Sequence, residues 1–338
     1  MVKNMEKIRV VQVGTKHDHA ADAVLTLKNL GETFTVLGVI EEDVCEQQKA
    51  SENPDYSDVP FISWDEAFSL KPDAFIIESD EKTLTENALR VVEKGYHVYV
   101  DKPGSEDTKE FERLCMTAKE KGVVLTMGYM YRYNPAVIYA KELVKSGKLG
   151  DIISVEAQMN CSYNDKNKRK WLGNLTGGMM YFLGCHLIDL VVSIQGFPKE
   201  IIPLNTRTNV DGIDSVDFGF CVYKYDNGLS FVKTNATECN GFDRRQLVIT
   251  GSKGTLEIKP LEITVGKGRL KKLTKARVTF GIDEKWVDNS QPVEFAPVNR
   301  YDAMFNEFAK YIKNEKENPF DYEYEAKLHS IVMRSCGE

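Results

Sequence analysis

The stretch IRVVQVGTKHDHAAD, residues 8–22, decides how this chain is expected to fold. Apolar and β-branched residues lead into Gly14, and a helical pattern follows directly. A buried strand, a tight turn and a helix N-terminus are the parts with which a dinucleotide-binding domain holds a pyrophosphate. Lys16 and His19 replace the second and third glycines of the usual G-x-G-x-x-G loop. The loop by itself is compatible with a phosphate-binding turn and with an ordinary strand-to-helix turn.

The same loop contains two histidines, which raises a different chemistry. His17 and His19 form an H-x-H pair after the first predicted strand, where amidohydrolase-type barrels hold a metal ion. Such a barrel needs further histidines at later strand ends, and the chain has three more: His97, His186 and His329. His97 falls inside a predicted strand and His329 in the predicted last helix. We therefore predict no metal site and keep a metal-dependent hydrolase using His17 and His19 as a remote alternative.

The composition argues against several other classes of protein. The 338 residues are 42% hydrophobic and 28% charged, and the net charge of −7 comes without a basic run that would bind nucleic acid or an anionic membrane. The 7 cysteines form no C-x-x-C pair, which favours reduced thiols. No stretch has the roughly 20 apolar residues of a membrane span, and the first residues show no signal peptide. We expect a cytoplasmic protein.

The first 130 residues alternate predicted strands with predicted helices. Short apolar runs predict buried strands at 8–13, 34–40, 59–63, 73–78, 96–100 and 123–129. Helical spacing predicts helices at about 19–30, 82–95 and 107–121. Strands that are apolar throughout and joined by helices form parallel sheets covered on both faces. The predicted fold of this part is a doubly wound parallel sheet.

After residue 150 the pattern changes to alternating, half-exposed strands. Residues 151–160 predict one strand, and two hairpins are predicted at 216–237, turning at Asn227–Gly228, and at 245–260, turning at 252–254. The predicted helices are 178–195, 301–314 and 323–334. The pattern indicates an α+β domain with a large, mostly antiparallel open sheet. We place the domains at 1–128 and 129–338, with the C-terminal helices able to pack back on the first domain.

An acidic residue after the second predicted strand indicates which dinucleotide is bound. Glu41 follows Gly14 by 27 residues, slightly more than the usual offset of about 20. A carboxylate there accepts hydrogen bonds from the ribose hydroxyls of NAD and repels the 2′-phosphate of NADP. No arginine follows in EEDVCEQQ, residues 41–48, to hold that phosphate. We predict NAD as the cofactor and NADP as the second choice, with a solvated turn as the alternative role of residues 41–43.

Two further motifs carry candidate catalytic residues. Residues 97–107, HVYVDKPGSED, bring Lys102 to the end of a buried strand, where it can stabilise an alkoxide. Residues 177–190, GGMMYFLGCHLIDL, place Phe182, His186 and Asp189 on one face if they form a helix. A histidine is a suitable general base near neutral pH, although a hydrogen-bonded core histidine is the usual alternative.

Together these motifs resemble the Gfo/Idh/MocA family of oxidoreductases. YVDKPGSED (99–107) is similar to the family's E-K-P motif, and MGYMYRYNPAVIYAKELVKSGKLGDIISVEA (127–157) to the segment that joins its two domains. Residues 177–190 are similar to its G-G-x-x-x-D-x-G-x-H-x-x-D helix. The resemblance implies a Rossmann domain, a second domain with a large open sheet, and hydride transfer between NAD(P) and a sugar, glycoside or cyclic polyol. It also implies a homodimer or homotetramer paired through that sheet.

The resemblance implies a set of site residues. Lys102 and His186 are catalytic, and Asp189 either orients His186 or is a structural partner. The implied cofactor-binding residues are Gly14, Thr15, Lys16, His17, Glu41, Glu78, Ser79, Asp80, Asp101, Lys102, Pro103 and Arg132. The implied substrate-binding residues are Lys102, Tyr133, Asn160, Lys170, Trp171, Phe182 and His186. Packing between domains is the alternative for Arg132, Tyr133, Asn160, Lys170 and Trp171.

The chain departs from the family pattern at three places. Asp101 replaces the usual glutamate before Lys102, and GTKHDHA (14–20) resembles a G-T-x-H-x-H-A variant of the glycine loop. Phe182 stands where relatives have an aspartate that helps to bind the reacting hydroxyl. We therefore expect a glycoside or derivatised sugar as substrate in preference to a free polyol. A nucleotide- and sugar-binding regulator without turnover is the alternative function.

Overall fold

The computed structural model describes residues 7–262, 275–281 and 288–338. The chain divides into two compact units, the first formed by Met1–Gly128 with Tyr301–His329 and the second by Tyr129–Arg300 with Ser330–Glu338. Within the described residues each unit contains one sheet. No helix of these segments is both long and apolar enough to cross a membrane.

A parallel sheet forms the centre of the first unit and confirms the predicted fold. Its strands are β1 (Ile8–Val13), β2 (Phe34–Ile40), β3 (Ala74–Ile77), β4 (His97–Val100) and β5 (Leu125–Met127). They pair in the order β2-β1-β3-β4-β5, and every pair is parallel. β3 is buried along its whole length, as expected for a parallel sheet covered on both faces. Parallel strands end at one edge, so the loops after β1 to β4 collect there.

One predicted strand of this unit is wrong. The connecting helices are α1 (Ala20–Asn29), α2 (Val44–Ser51), α3 (Trp64–Ser69), α4 (Leu84–Val92) and α5 (Thr108–Lys121). In the predicted third strand, 59–63, only Phe61 forms a bridge, to Val39. Pro60 has no N–H for a strand ladder, and the Ser63 side chain caps α3 by accepting the Glu66 N–H. The described part of the sheet therefore has five strands and not six.

The second unit contains the larger sheet, which confirms the predicted antiparallel architecture. Its described strands are β6 (Ile152–Asn160), β7 (Glu200–Pro203), β8 (Phe218–Tyr225), β9 (Gly228–Asn235), β10 (Gln246–Gly251), β11 (Gly254–Ile258), β12 (Lys275–Phe280) and β13 (Gln291–Glu294). Their order is β13-β12-β11-β10-β6-β9-β8-β7, and β6 with β9 is the one parallel pair among these strands. In the β8–β9 hairpin Tyr225 pairs with Gly228, so the loop begins one residue before the predicted turn.

The helices of the second unit differ from the sequence prediction at one functional position. They are α6 (Pro135–Lys145), α7 (Lys166–Leu172) and α8 (Cys185–Gln195). The single helix predicted at 178–195 has two parts, because Met180–Gly184 form a π-helical turn before α8. A π-helical turn contains an additional residue and is frequent at functional sites. Phe182 and His186 are therefore not related by the regular α-helical spacing that the sequence predicted.

Two helices close the chain, α9 (Asp302–Ile312) and α10 (Tyr322–Cys336). In the first unit α9 packs Phe305 and Phe308 against Tyr99 of β4, with ring centroids 5.0 and 6.3 Å apart. α10 contributes His329 to the same unit, where its ring stacks on Phe111 of α5 at 4.2 Å. These contacts add aromatic packing to the helical layers around the parallel sheet.

Candidate active site

Gly14 makes a turn that only glycine permits. Its φ is +86°, and its N–H donates a 2.7 Å hydrogen bond to the carbonyl of Ile40. A Cβ atom at this position would lie 2.4 Å from the Cα of Ser79. The absence of a side chain therefore lets the end of β1 lie directly against the loop that follows β3.

A cleft of about 360 Å³ opens beside this turn, at the edge where β1, β2 and β3 end. It is lined by Val13, Gly14, Lys16, Ile40, Glu41, Glu42, Asp43, Ser79, Asp80, Thr83, Glu86, Asn87 and Arg90. Five of the predicted cofactor-binding residues lie here: Gly14, Lys16, Glu41, Ser79 and Asp80. The cleft carries acidic groups on the β2 side and cations on its rim.

Glu41 is fixed in this cleft by the glycine loop. Its Oε2 accepts hydrogen bonds from the N–H of Thr15 at 2.9 Å and from the Thr15 hydroxyl at 2.8 Å. Its Oε1 accepts the N–H of Asp43 at 3.0 Å. A carboxylate has about four acceptor positions, so Glu41 retains capacity for a ribose hydroxyl. Thr15, predicted to contact the cofactor directly, thus also orients the carboxylate.

Two cations border the cleft, and the sequence predicted only one of them. Lys16 lies 3.0 Å from Asp80, and this hydrogen bond raises the pKa of Lys16. Arg90 of α4 places its guanidinium 4.0 Å above the Trp64 ring and 3.8 Å from the Glu42 carboxylate. Arg90 lies far outside residues 41–48, the segment after β2 in which an arginine for the NADP phosphate is expected. The available signal was the polar face of α4, since Glu86 and Asn87 lie one turn before Arg90.

Four side chains at the ends of β1, β3 and β4 form a group that we call the histidine cluster: His17, Glu78 and Asp101, which are buried, and His19, which is partly exposed. Asp101 Oδ2 lies 2.9 Å from His19 Nδ1 and 3.2 Å from His17 Nδ1. Glu78 Oε2 lies 3.5 Å from the same His17 nitrogen. His17, Glu78 and Asp101 are at most 3% exposed. The two histidines of the loop therefore meet the residue that replaces the family's glutamate.

Burial and mutual contacts shift the ionisation of this cluster. Burial lowers the pKa of His17 to about 3, so the ring is uncharged at neutral pH. Burial and the neighbouring Asp101 carboxylate raise the pKa of Glu78 well above its ordinary value. Burial opposes ionisation of Asp101, but His17 and His19 hold its pKa below the usual range. The pKa values of the two carboxyl groups of the cluster are therefore shifted in opposite directions.

Lys102 follows the cluster directly and is itself buried. Its N–H donates to Asp101 Oδ1 at 2.6 Å, and its carbonyl oxygen lies 3.1 Å from His17 Nε2. The peptide bond to Pro103 is cis. These contacts place the backbone of Lys102 and Pro103 at the edge of the sheet where β4 ends.

In the second unit His186 lies at the buried start of α8 between two tyrosines. Tyr129 and Tyr131 meet the His186 ring edge to face, with centroids 6.0 and 5.6 Å away. Asp189 Oδ1 accepts the Nε of Arg132 at 2.9 Å, and Nη2 of Arg132 lies 2.8 Å from the same oxygen. The observed partner of the Asp189 carboxylate is therefore Arg132, which supports the structural alternative for Asp189.

A second buried group, the arginine cluster, consists of Tyr131, Arg245, Glu262 and Arg300. Glu262 Oε1 accepts the Tyr131 hydroxyl at 2.7 Å and Arg245 Nη1 at 2.5 Å, and Arg300 also donates to Glu262. Burial opposes ionisation of Glu262, but the two guanidiniums lower its pKa to about 2. Sequence reasoning missed this cluster, because its members are far apart in the chain and belong to no shared motif. Its effect is to hold the Tyr131 ring against His186.

The predicted substrate residues of the second unit are only partly brought together. Trp171 and Phe182 meet edge to face at 5.1 Å, and Lys168 places its ammonium 3.9 and 4.6 Å from the two ring centroids. Lys170, the lysine that the sequence favoured, is exposed. Asn160 is fully buried, and neither atom of its amide has a hydrogen-bond partner within the described residues. Tyr133 is also buried.

Comparisons with known proteins agree with this architecture. Residues 8–129 match the family model described as "Oxidoreductase family, NAD-binding Rossmann fold", and residues 137–257 match the "GFO/IDH/MocA C-terminal domain" model. Levoglucosan dehydrogenase, solved in complex with NADH and levoglucosan, has the same fold, with a TM-score of 0.80 over 98% of both chains at 14% identity.

Two curated relatives come from Bacillus subtilis (strain 168). The scyllo-inositol 2-dehydrogenase (NADP(+)) is 29% identical over 136 residues, which cover 39% of this chain and 37% of that protein. Glucose-6-phosphate 3-dehydrogenase is 28% identical over 213 residues, which cover 61% of this chain and 59% of that protein. The matched region thus spans about two fifths to three fifths of the length of these relatives.

Proposed function

Because this chain belongs to the Gfo/Idh/MocA family of oxidoreductases, we propose that it transfers hydride between a nicotinamide dinucleotide and a secondary hydroxyl or ketone of a sugar, glycoside or cyclic polyol. The observation that carries the proposal is the glycine turn beside the acidic cleft. Gly14 has a φ of +86°, and its missing Cβ leaves room for the backbone of Ser79, so it makes the tight turn for which a dinucleotide loop uses its first glycine.

The proposed cofactor is NAD, held by the cleft through Gly14, Lys16, Glu41, Ser79 and Asp80. Lys16 offsets phosphate charge, and Glu41 accepts ribose hydroxyls with the oxygen positions that Thr15 and Asp43 leave available. The nicotinamide, when bound, supplies the hydride donor or acceptor.

The preference for NAD over NADP is proposed to come from three acidic residues that repel the extra phosphate of NADP: Glu41, Glu42 and Asp43. Arg90 is the residue that would favour NADP instead, but Glu42 and the Trp64 ring already engage its guanidinium.

The proposed catalytic residues are His186 and Lys102. His186 accepts the proton of the substrate hydroxyl during oxidation and returns it during reduction. Lys102 donates a hydrogen bond to the same oxygen and stabilises its developing negative charge. Asp189 is proposed to act through Arg132, its observed partner, and so to fix the segment that carries Tyr129 and Tyr131 against His186. It is a positioning residue in this mechanism.

The proposed substrate is a glycoside or derivatised sugar. Phe182, at the position where the family pattern has an aspartate, is buried against the partly exposed Trp171 ring. An aromatic ring packs well on the C–H face of a pyranose, and Trp171 is the ring proposed to do so. The amide of Asn160, which has no hydrogen-bond partner among the residues that the structure describes, offers a donor and an acceptor for sugar hydroxyls. The name of one structural neighbour, levoglucosan dehydrogenase, supports a sugar derivative of this kind.

We also propose that two copies pair through the large sheet of the second unit. Phe220 and Phe231 stack at 5.4 Å on that sheet and remain partly exposed. Leu229 and Ile153 are 55% and 40% exposed. An apolar sheet face of this kind suits a homodimer or homotetramer interface.

Equilibrium binding of NADH and NADPH tests the cofactor assignment. We expect tighter binding of NADH, and a smaller difference between the two in Glu41→Gln, because the neutral amide no longer repels the 2′-phosphate. Arg90→Met is the matched variant: it should leave NADH binding unchanged and weaken any residual NADPH binding. Equal or tighter binding of NADPH by the wild-type protein would overturn the NAD preference. Absence of binding for both would overturn the proposed function.

A substrate panel then separates catalysis from regulation. With NAD present, glycosides, derivatised sugars, free sugars and inositols are compared by the formation of NADH. Turnover of glycosides above free inositols is the expected result. Binding of NADH without turnover on any member would favour the regulator.

A further inference from the structure

The His17 ring has oxygen acceptors on both of its nitrogens. Nε2 lies 3.1 Å from the carbonyl oxygen of Lys102. Nδ1 lies 3.2 Å from Asp101 Oδ2 and 3.5 Å from Glu78 Oε2, and it also receives the N–H of His19 at 3.2 Å. A neutral imidazole has one N–H and one lone pair, so it can satisfy only one of these two sides.

The carbonyl contact indicates which nitrogen carries the proton. With the proton on Nε2, His17 donates to Lys102 and its Nδ1 lone pair accepts the His19 N–H, as the distances require. The same lone pair then points toward the Asp101 oxygen at 3.2 Å, and two electron-rich atoms face each other in a buried site. A positive centre between them removes this conflict.

We propose that His17, His19 and Asp101 bind one divalent transition-metal ion of the Zn²⁺ class. Their three ligand atoms lie within 4.8 Å of one another, which allows all three to reach a common ion. Two imidazole nitrogens and one carboxylate oxygen are the ligand set of open zinc and iron sites, in which further positions stay available. His17 binds through Nδ1, whose lone pair then goes to the ion in place of the His19 N–H that it accepts in this structure. Its Nε2–H bond to the Lys102 carbonyl is the outer hydrogen bond that metal-bound histidines usually make.

Glu78 provides an independent reason for a cation at this point. It is fully buried, and neither of its carboxyl oxygens has a hydrogen-bond donor within the described residues. Its Oε2 is directed toward the same His17 nitrogen at 3.5 Å. A buried carboxyl group without donors is costly unless a cation or a shared proton satisfies it. In the presence of the ion Glu78 is placed to complete the coordination or to accept from a water molecule on the ion, and in its absence to share a proton with Asp101.

The ion would tie the glycine loop to the end of β4. His17 and His19 belong to the loop that lacks its second and third glycines, and Asp101 lies between β4 and Lys102. Coordination by all three fixes the loop to the sheet edge without the close packing that those glycines provide elsewhere. All the contacts lie within the first unit, and the inference does not depend on the proposed hydride transfer.

Metal titration of the full-length protein tests this proposal. After removal of metal with a chelator, binding of Zn²⁺ is measured by calorimetry and binding of Co²⁺ by its visible absorption. We expect one ion per chain. His17→Gln, His19→Gln and Asp101→Asn should each weaken binding more than the roughly 10–100-fold that loss of an outer hydrogen bond costs. His97→Gln is the matched control, because His97 begins the strand that Asp101 follows and lies at its other end.

A wild-type measurement keeps the test decisive if a variant fails to fold. Co²⁺ bound at this site should shift the proton resonances of two imidazole rings in NMR spectra of the wild-type protein. Failure of the wild-type protein to bind Zn²⁺ or Co²⁺ stoichiometrically overturns the proposal. Binding that survives all three substitutions, or that His97→Gln abolishes, overturns it as well. NMR spectra are also recorded before and after addition of metal. If His17 carries protons on both ring nitrogens in both spectra, the positive centre is a proton and the metal proposal is overturned.

Discussion

The histidine cluster and the arginine cluster both bury carboxyl groups, but they balance them differently. In the arginine cluster one carboxylate, Glu262, is met by two guanidinium groups and a tyrosine hydroxyl. In the histidine cluster two carboxyl groups, Glu78 and Asp101, are met by imidazoles. The first arrangement is a complete network whose members stabilise one another. The second keeps acceptor capacity at the edge of the sheet, which is what a site for a ligand requires.

The largest expected effect is on activity, at one residue next to each cluster. Lys102, which follows the histidine cluster, and His186 are proposed to act on the substrate oxygen. Lys102→Met and His186→Gln should each lower turnover about 10²–10⁴-fold, the usual loss for a group that moves or stabilises a proton. Steady-state rates with the best substrate of the panel provide the measurement. Lys82→Met, at an exposed lysine 3.7 Å from Glu106, is the control and should retain wild-type turnover. Near-normal rates in both active-site variants would contradict the assignment.

The second effect separates the clusters by stability. Glu262→Ala leaves Arg245 and Arg300 buried without their carboxylate and should lower the free energy of unfolding by about 3–5 kcal/mol. Tyr131→Phe removes one hydrogen bond to the same carboxylate and should cost about 1.5 kcal/mol. Glu78→Gln, in the histidine cluster, should cost less than either, because no guanidinium depends on it. Urea unfolding of the three variants measures the order of their losses in free energy of unfolding. If Glu262→Ala loses no more free energy than Tyr131→Phe, the two clusters do not differ in stability as proposed.

The third effect concerns pH, because the two buried glutamates have opposite pKa shifts. Two arginines lower the pKa of Glu262 from 4.5 to about 2 against the effect of burial, so its stabilisation is complete above pH 4.5 and is lost as the pH falls toward 2. The loss is on the order of 3 kcal/mol. Burial and Asp101 raise the pKa of Glu78, so its contribution is complete below pH 4.5 and is lost as the pH rises through the raised value.

The free energy of unfolding as a function of pH distinguishes these signs. The difference between wild type and Glu262→Gln should shrink as the pH falls from 4.5 to 2, since the carboxylate no longer contributes there. The difference between wild type and Glu78→Gln should instead change above pH 4.5, with the wild-type protein losing stability relative to the variant. Parallel curves for wild type and either variant would mean that the corresponding glutamate is not shifted as the contacts indicate.

The sequence predicted most of the fold because its signals are local. Continuous apolar runs identify β1 to β5, and alternating runs identify β6 and the β8–β9 and β10–β11 hairpins. The one wrong strand, at 59–63, contains Pro60 and ends at the Ser63 cap of α3. There a proline and a capping residue outweigh a short apolar run. The π-helical turn at Met180–Gly184 also escaped prediction, because an additional residue in a helix leaves no periodic signal.

Of the candidate site, the sequence predicted only the residues that belong to recognisable motifs. Gly14, Glu41 and Lys102 come from strand ends that motif spacing identifies, and their roles remain proposals. Arg90 enters the cleft from a helix face that no motif includes. Asp189 was left with two roles, and the structure supplies Arg132 as its partner. In each case the deciding contact joins residues tens of positions apart.

The sequence by itself determined the family, the two kinds of sheet and the strand ends at which chemistry is placed, because hydrophobic periodicity and short motifs depend on neighbours in the chain. Only the tertiary structure decided that His17 and His19 meet Asp101, and that Tyr131, Arg245, Glu262 and Arg300 form one network. Burial and electrostatic pairing depend on distances in space. The sequence gives the charged residues, whereas the fold determines which of them are buried together and must therefore neutralise one another.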